Sequence, residues 1–115
     1  MKIFSFDPEL DNSVDDDLDL EEALEEFYYL TDVEGTFFGI EDSEERCIQF
    51  SWISQDKWLV DIPKPPDFIN YQKYADYDEC IEMIKRVYEF NEVVQFAGMI
   101  KVDIMNESLD DKLGI

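Results

Sequence analysis

The segment from residue 36 to residue 63 constrains the fold most strongly, because it has the pattern of three short strands joined by two polar turns. Apolar side chains alternate along the second and third of these strands: Ile48, Phe50 and Trp52 in one, and Trp58, Val60 and Ile62 in the other. This alternation is typical of a strand with one buried face. In the first strand, Gly39 interrupts the pattern and predicts a bulge or a close backbone approach. The segment therefore predicts an antiparallel meander with one aromatic face.

Two further segments have the spacing of amphipathic helices. Residues 19–31 place apolar side chains on one face and glutamates on the other, and residues 78–90 carry a second apolar stripe. Each helix has an aspartate followed three residues later by a glutamate, the pattern of a capping box: Asp19 with Glu22, and Asp76 with Glu79. The sequence therefore predicts one capped helix before the meander and one after it.

The remaining segments predict less regular structure. Residues 3–6 have the composition of a short strand and residues 99–104 that of a final strand. The aromatic connection between 63 and 74 is expected to drape over apolar surface. Residues 7–17 predict a mobile acidic loop, and residues 106–115 a mobile tail. The chain, residues 1–115, is thus predicted to form a single α+β domain, in which an antiparallel β-meander with a further C-terminal strand packs against two helices.

Charge is the unusual property of the composition. The chain has 30 acidic and 9 basic residues, a net charge of −21, and the first 45 residues hold 17 acids against one base, Lys2. A net charge of roughly 2 to 8 is enough to keep a small domain in solution. Such a chain repels nucleic acid and anionic membranes, whose binding depends on basic groups. We therefore expect no nucleic-acid or membrane partner, and a basic protein as the partner instead.

The acidic side chains near the N-terminus and in the first turn of the meander are the predicted partner-binding residues. They are Asp15, Asp16, Asp17, Glu21, Glu22, Glu25, Glu26, Glu41, Asp42, Glu44 and Glu45. Electrostatic attraction from such a field speeds association with a basic protein and orients it. A merely solvated face is the alternative interpretation of this run of charge.

Catalytic chemistry is not indicated. The chain contains no histidine, which removes His-dependent triads and His metal sites, and it contains no phosphate-binding or nucleophile motif. Cys47 and Cys80 stand far apart without a His partner and are interpreted as packed thiols. The sequence predicts a protein that is not an enzyme and has no cofactor and no bound metal.

One group of carboxylates has a spacing like that of a calcium-binding loop. Asp15, Asp17, Asp19 and Glu26 have the spacing of positions 1, 3, 5 and 12 of an EF-hand loop. The sixth position, where the sharp turn requires glycine, is Leu20. A solvated acidic helix start explains the same residues better.

Several aromatic residues admit two interpretations. Trp52 and Trp58 alternate as core residues do, but tryptophan and tyrosine are also enriched at interface hot spots. The same alternatives apply to four tyrosines: Tyr28, Tyr29, Tyr71 and Tyr74. So small a domain is not expected to bury all of them. One or two are predicted to lie at the surface as contacts for a partner.

The sequence predicts a cytoplasmic protein. No N-terminal signal pattern is present, and no apolar run approaches the roughly 20 residues that a bilayer-spanning helix needs. The oligomeric state is left open.

Several short runs carry a family resemblance over residues 38–84. They are Phe38-Gly39-Ile40 with Asp42, Ile48-Gln49-Phe50, Trp58 with Val60-Asp61-Ile62-Pro63, Tyr71 with Lys73, and Glu79-Cys80. With these runs, a small, acidic, histidine-free α+β chain resembles the immunity proteins of bacterial toxin systems, such as contact-dependent growth inhibition and other polymorphic toxins. The resemblance implies a protein that neutralises a cognate toxin by covering its active site or by binding beside it. The charge favours a basic nuclease as that toxin.

Two alternatives remain open. A DNA mimic would inhibit a DNA-binding or restriction protein, and would carry acids spaced like duplex phosphates along an elongated surface. An acidic adaptor subunit would meet a basic partner without inhibiting it.

Overall fold

A computed structural model describes residues 1–115 and shows a seven-stranded antiparallel sheet with three helices. In chain order the elements are β1 (Lys2–Asp7), β2 (Asn12–Asp17), α1 (Leu20–Tyr29), β3 (Phe37–Glu41), β4 (Cys47–Ser54), β5 (Lys57–Lys64), β6 (Ile69–Ala75), α2 (Tyr77–Phe90), β7 (Ile100–Asp103) and α3 (Leu109–Leu113). The strand order is β2-β1-β3-β4-β5-β6-β7. The predicted α+β class is confirmed.

The predicted meander forms the centre of the sheet as β3, β4 and β5. Its register aligns Phe38 with Phe50 and Phe50 with Val60, so the three side chains lie in one row. All three are fully buried. β1 adds to this unit beside β3 and β6 beside β5. The alternation in the sequence therefore identified the buried face correctly.

Both long helices pack against this buried face. α1 and α2 begin as predicted, since Asp19 and Asp76 accept hydrogen bonds from the backbone N–H of Glu22 and Glu79, whose side chains bond back in turn. The core contains Ala23 and Phe27 of α1, four residues of α2 and the inward residues of five strands. None of the three helices has the length and apolar composition needed to cross a membrane.

The prediction of an acidic loop over residues 7–17 is wrong, because Asn12–Asp17 forms β2 and pairs along its whole length with β1. Strand pairing uses backbone groups, so it does not require the alternating apolar side chains that this stretch lacks. Charged side chains are tolerated here because β2 is an edge strand, whose outer side faces solvent.

Two other predictions also need correction. The aromatic connection contains β6, which pairs with β5 and β7 instead of draping over the sheet. The tail contains α3, which begins at the N-cap Ser108 and buries Leu109. The Tyr74 hydroxyl donates to Asp110 at 2.6 Å and holds α3 against the sheet. One buried apolar residue and one hydrogen bond hold α3 in place. Its sequence pattern is therefore too weak to predict the helix.

A buried carboxylate connects the β1–β2 hairpin to the end of α1. Asp7 is 1% exposed and accepts hydrogen bonds from the backbone N–H of Glu9, Leu10 and Thr31 and from the Thr31 hydroxyl. Burial raises the pKa of Asp7, but these bonds outweigh it and hold the pKa below its usual value. The carboxylate therefore stabilises the hairpin in its charged form.

The close approach at Gly39 is made by an aromatic side chain and not by backbone, and the strand pairing around it has no bulge. Phe4 lies opposite Gly39 in the register, and a β-carbon at position 39 would come within 2.1 Å of its ring. The irregularity in the sheet lies elsewhere, where the pairing of β4 with β5 shifts between Trp52 and Ser54. Glycine at position 39 therefore makes room for an aromatic ring on the sheet face away from the long helices.

Candidate partner-binding surface

Three of the predicted carboxylates lie on the edge strand β2. Asp15, Asp16 and Asp17 are all exposed. By register Asp16 lies on the face of the long helices, while Asp15 and Asp17 lie on the opposite face. Lys2 approaches Asp15 at 3.5 Å, and both side chains are largely solvated. The Met1 ammonium group approaches Asp17 at 2.9 Å, and the Asp17 side chain is largely exposed. Exposed pairs of this kind contribute little to stability. The two cations neutralise part of the charge of the strand, and Asp16 makes no ion pair.

The exposed carboxylates of α1 follow closely after those of β2 in the chain. Only two residues separate Asp17 from the start of α1, whose Glu21, Glu22 and Glu25 are exposed. We call the six exposed carboxylates of the two elements the acidic edge: Asp15, Asp16, Asp17, Glu21, Glu22 and Glu25.

Two glutamates of α1 have structural roles. Glu26 is half-buried and accepts a hydrogen bond from the Ser5 hydroxyl at 3.0 Å, which ties the helix to β1. Glu22 completes the capping box of α1 through the backbone N–H of Asp19. Glu21 and Glu25 are therefore the positions of this helix where a charge can be changed with least effect on the fold.

The glutamates at the end of β3 and in the turn after it differ in how close they lie to the acidic edge. Glu41 lies beside Lys2, which in turn lies beside Asp17, so the register brings Glu41 close to the acidic edge. A cleft of about 590 Å³ is lined by both groups of residues. Glu44 and Glu45 are exposed at the tip of the turn and line a different cleft.

Asp42 does not belong to the surface, and its prediction as a partner-binding residue is wrong. Its side chain is fully buried and accepts hydrogen bonds from the backbone N–H of Glu44, Arg46 and Val93 and from Nε of Arg46, at 2.8 to 3.0 Å. Burial raises the pKa of Asp42, but these bonds outweigh it and hold the pKa below its usual value. Asp42 joins the β3–β4 turn to the segment after α2.

The sheet face away from α1 and α2 carries an aromatic group that the sequence analysis missed. Phe4, Phe6 and Phe37 are half-buried there, and Phe37 lies 6.3 Å from Phe4 and 6.4 Å from Phe6 between ring centroids. Leu59 lies across Ser51 from Phe37. We call this side of β2, β1, β3, β4 and β5 the open face, since α3 lies against β7 and the Tyr74 end of β6. Consecutive apolar residues, such as Phe37-Phe38, are the sequence pattern that could have indicated two apolar faces.

Side-chain exposure now distinguishes core from surface among the tryptophans and the two tyrosines of α1. Trp58 is 2% exposed and belongs to the core, whereas Trp52 is half-buried and its Nε1 has no hydrogen-bond partner. Tyr28 and Tyr29 are 68% and 64% exposed at the end of α1. These two tyrosines have the exposure expected of contact residues, and their role in binding stays a prediction.

The cysteines and the residues with calcium-like spacing are dispersed. Cys80 is fully buried, and burial raises the pKa of its thiol to about 12; burial also raises that of Cys47. Asp15 and Asp17 lie on β2, while Asp19 caps α1 and Glu26 binds Ser5. These four residues do not form a loop.

Comparison with protein-family models, with curated proteins and with solved structures found no match. The candidate surface is therefore defined by its geometry alone.

We expect Asp42→Asn to lower the free energy of unfolding by about 3 kcal/mol at pH 7, because it removes a charge that receives four hydrogen bonds. The folded-state pKa of Asp42 lies below the unfolded value of about 3.9, so its contribution is complete above that value and is lost as the pH falls through the folded pKa. The difference between wild type and variant should therefore shrink below about pH 4. Urea unfolding between pH 7 and pH 3 measures it.

The control is Asp15→Asn, which removes an exposed charge and should change stability by less than about 0.5 kcal/mol. A difference for Asp42→Asn that stays constant down to pH 3 would contradict this account of the carboxylate.

Proposed function

We propose that the protein is an immunity protein that binds the catalytic domain of a cognate bacterial toxin and neutralises it. A basic nuclease is the toxin that the charge favours. The observation that carries the proposal is the acidic edge, six exposed carboxylates on β2 and α1. Two of them, Asp15 and Asp17, lie on the open face near the half-buried aromatic group, while Asp16 and the glutamates of α1 lie on the side of the long helices. An apolar centre with a charged rim is the usual anatomy of a specific protein interface.

The charge would act mainly on association and orientation. A nuclease binds phosphates with lysine and arginine side chains, and these groups are attracted by the same negative potential. Asp15, Asp17 and Glu41 lie on the open face beside Lys2, so a partner held there would contact carboxylates and aromatic rings together. The inhibitor would then cover the substrate groove or lie beside it, acting in the cytoplasm.

The DNA-mimic hypothesis receives less support. It predicts an elongated acidic surface, whereas the molecule measures 36 × 31 × 23 Å and its acidic edge occupies one strand and one helix. We therefore propose an inhibitor of one partner instead of a general mimic of duplex DNA.

The first experiment is coexpression with the toxin encoded beside the gene for this chain. We expect the protein to restore growth and to elute with the toxin domain as a complex in size-exclusion chromatography. Absence of both rescue and complex would contradict the proposal. Rescue from an unrelated restriction enzyme as well would favour the DNA mimic, and a complex without rescue would favour the adaptor.

The second experiment tests the acidic edge with Glu21→Gln combined with Glu25→Gln. Both side chains are exposed, so the fold should be kept while association with the toxin domain slows by about 3- to 10-fold and becomes less sensitive to salt. Stopped-flow or surface-binding rates at several salt concentrations measure the effect.

The matched control is Glu82→Gln combined with Glu89→Gln, which removes two exposed charges from α2. An equal loss of rate in the control would mean that only net charge matters. An unchanged rate and salt dependence in the α1 variant would show that the helix is not part of the docking surface.

A further inference from the structure

Asp61 is an acidic side chain of the open face that the proposed function does not use. It is the fifth residue of a row of seven that runs across the sheet: Asp15, Phe4, Gly39, Gln49, Asp61, Gln72 and Ile100. Asp61 is half-buried, and it takes part in none of the seven ion pairs of the chain. A carboxylate in this position is partly removed from water without a cation to balance its charge.

Two buried amides hold this carboxylate in one orientation. Nδ2 of Asn70 donates to Oδ1 at 2.8 Å and to Oδ2 at 3.0 Å, and Nε2 of Gln72 donates to Oδ1 at 2.8 Å. Asn70 and Gln72 are each only 8% exposed. Oδ1 thus accepts two hydrogen bonds and Oδ2 one, and because a carboxylate has about four acceptor positions, Oδ2 can accept another donor.

The space beside Asp61 has apolar walls. A cleft of about 530 Å³ is lined by Asp61, Gln49 and Asn70 on the sheet and by Pro65, Phe68 and Ile104 around it. Phe68 is 59% exposed and Ile104 is 43% exposed. Apolar walls around an oriented carboxylate suit a side chain with an aliphatic stem and a cationic end.

The geometry points to an arginine side chain of the protein partner as the occupant of this cleft, with its guanidinium group on Oδ2 of Asp61 and its stem against Phe68 and Ile104. Arginine fits better than lysine, because its planar cation is more weakly hydrated and stacks on aromatic rings. The charge of the chain, −21, is complementary to such a partner. The inference deepens the proposed function, since it names the group by which the basic partner is recognised.

The test uses a short model peptide, acetyl-Gly-Leu-Arg-Phe-Gly-amide, titrated into the protein and followed by NMR. We expect saturable shifts of the side-chain amide signals of Asn70 and Gln72. Replacing the arginine of the peptide with lysine should weaken binding several-fold, and replacing it with the neutral isostere citrulline should weaken it at least tenfold. Equal binding of the arginine and citrulline peptides, or no binding at millimolar concentration, would overturn the inference.

Two variants test the protein side, after urea unfolding has established that each is folded. Asp61→Asn should weaken the arginine peptide at least tenfold, and Phe68→Ala should weaken it several-fold while leaving the carboxylate in place. Glu82→Gln is the matched surface control and should leave binding unchanged. Unchanged binding by Asp61→Asn would overturn the inference.

A titration with N-acetylarginine methylamide tests whether the cleft binds an arginine of a protein or a small molecule. This small probe should bind at least tenfold more weakly than the peptide, whose apolar residues reach the rest of the open face. Equal affinity would indicate a small-molecule site and overturn the proposed partner contact. None of these titrations uses the toxin, so their failure leaves the outcome of coexpression as a separate test of the proposed function.

Discussion

The packing of Phe27 against the central strands is the interaction on which the rest of the structure depends. Its ring lies 5.3 Å from that of Phe38, 6.0 Å from Phe50 and 4.8 Å from Trp58, so one side chain of α1 contacts all three strands of the meander. It also stacks on Tyr77 at the start of α2, at 5.3 Å. Buried aromatic pairs of this kind add to the hydrophobic stabilisation that the ring area provides. Phe27 therefore fixes both long helices to the same face of the sheet.

Placement of both helices on one face leaves the other face open. Apolar side chains there, among them Phe4 and Phe37, are only half-buried, and Asp61 lies between polar neighbours with no cation. The 17 acids of the first 45 residues oppose folding through self-repulsion. Seven of them lie on the edge strand and α1, where all but Glu26 are exposed and solvent screens their charge. The core tolerates this charge because its carboxylates, Asp7 and Asp42, each receive four hydrogen bonds.

Patterns that depend on neighbours in sequence predicted their part of the fold well. The alternation in β4 and β5, the apolar stripe of α2 and the two capping boxes of the long helices are all visible in the sequence. β2 was missed because its stability comes from backbone pairing with β1, and its side chains resemble those of a loop. β6 was missed because Pro65 and Pro66 just before it suggested an irregular path.

The sequence shows where the charges of the candidate surface lie, and the structure shows which of them are exposed; their role in binding stays a prediction. Charge alone selected the exposed carboxylates of the acidic edge, but it could not distinguish them from Asp42, whose partner Val93 lies 51 residues away. Charge alone also did not single out Asp61, because the two amides that orient its carboxylate belong to β6, a strand that the sequence did not predict. Exposure and hydrogen bonding decide whether a carboxylate is available to a partner, and both follow from tertiary contacts.

Carboxyl footprinting of the complex with the toxin domain tests the central claim most directly. Carbodiimide labelling followed by mass spectrometry measures how far each exposed Asp and Glu reacts in the free and bound protein. We expect protection of Asp15, Asp17, Glu21 and Glu25 on binding, with Glu82 on α2 reacting equally in both states. Protection of Glu82 with undiminished labelling of the acidic edge would contradict the account.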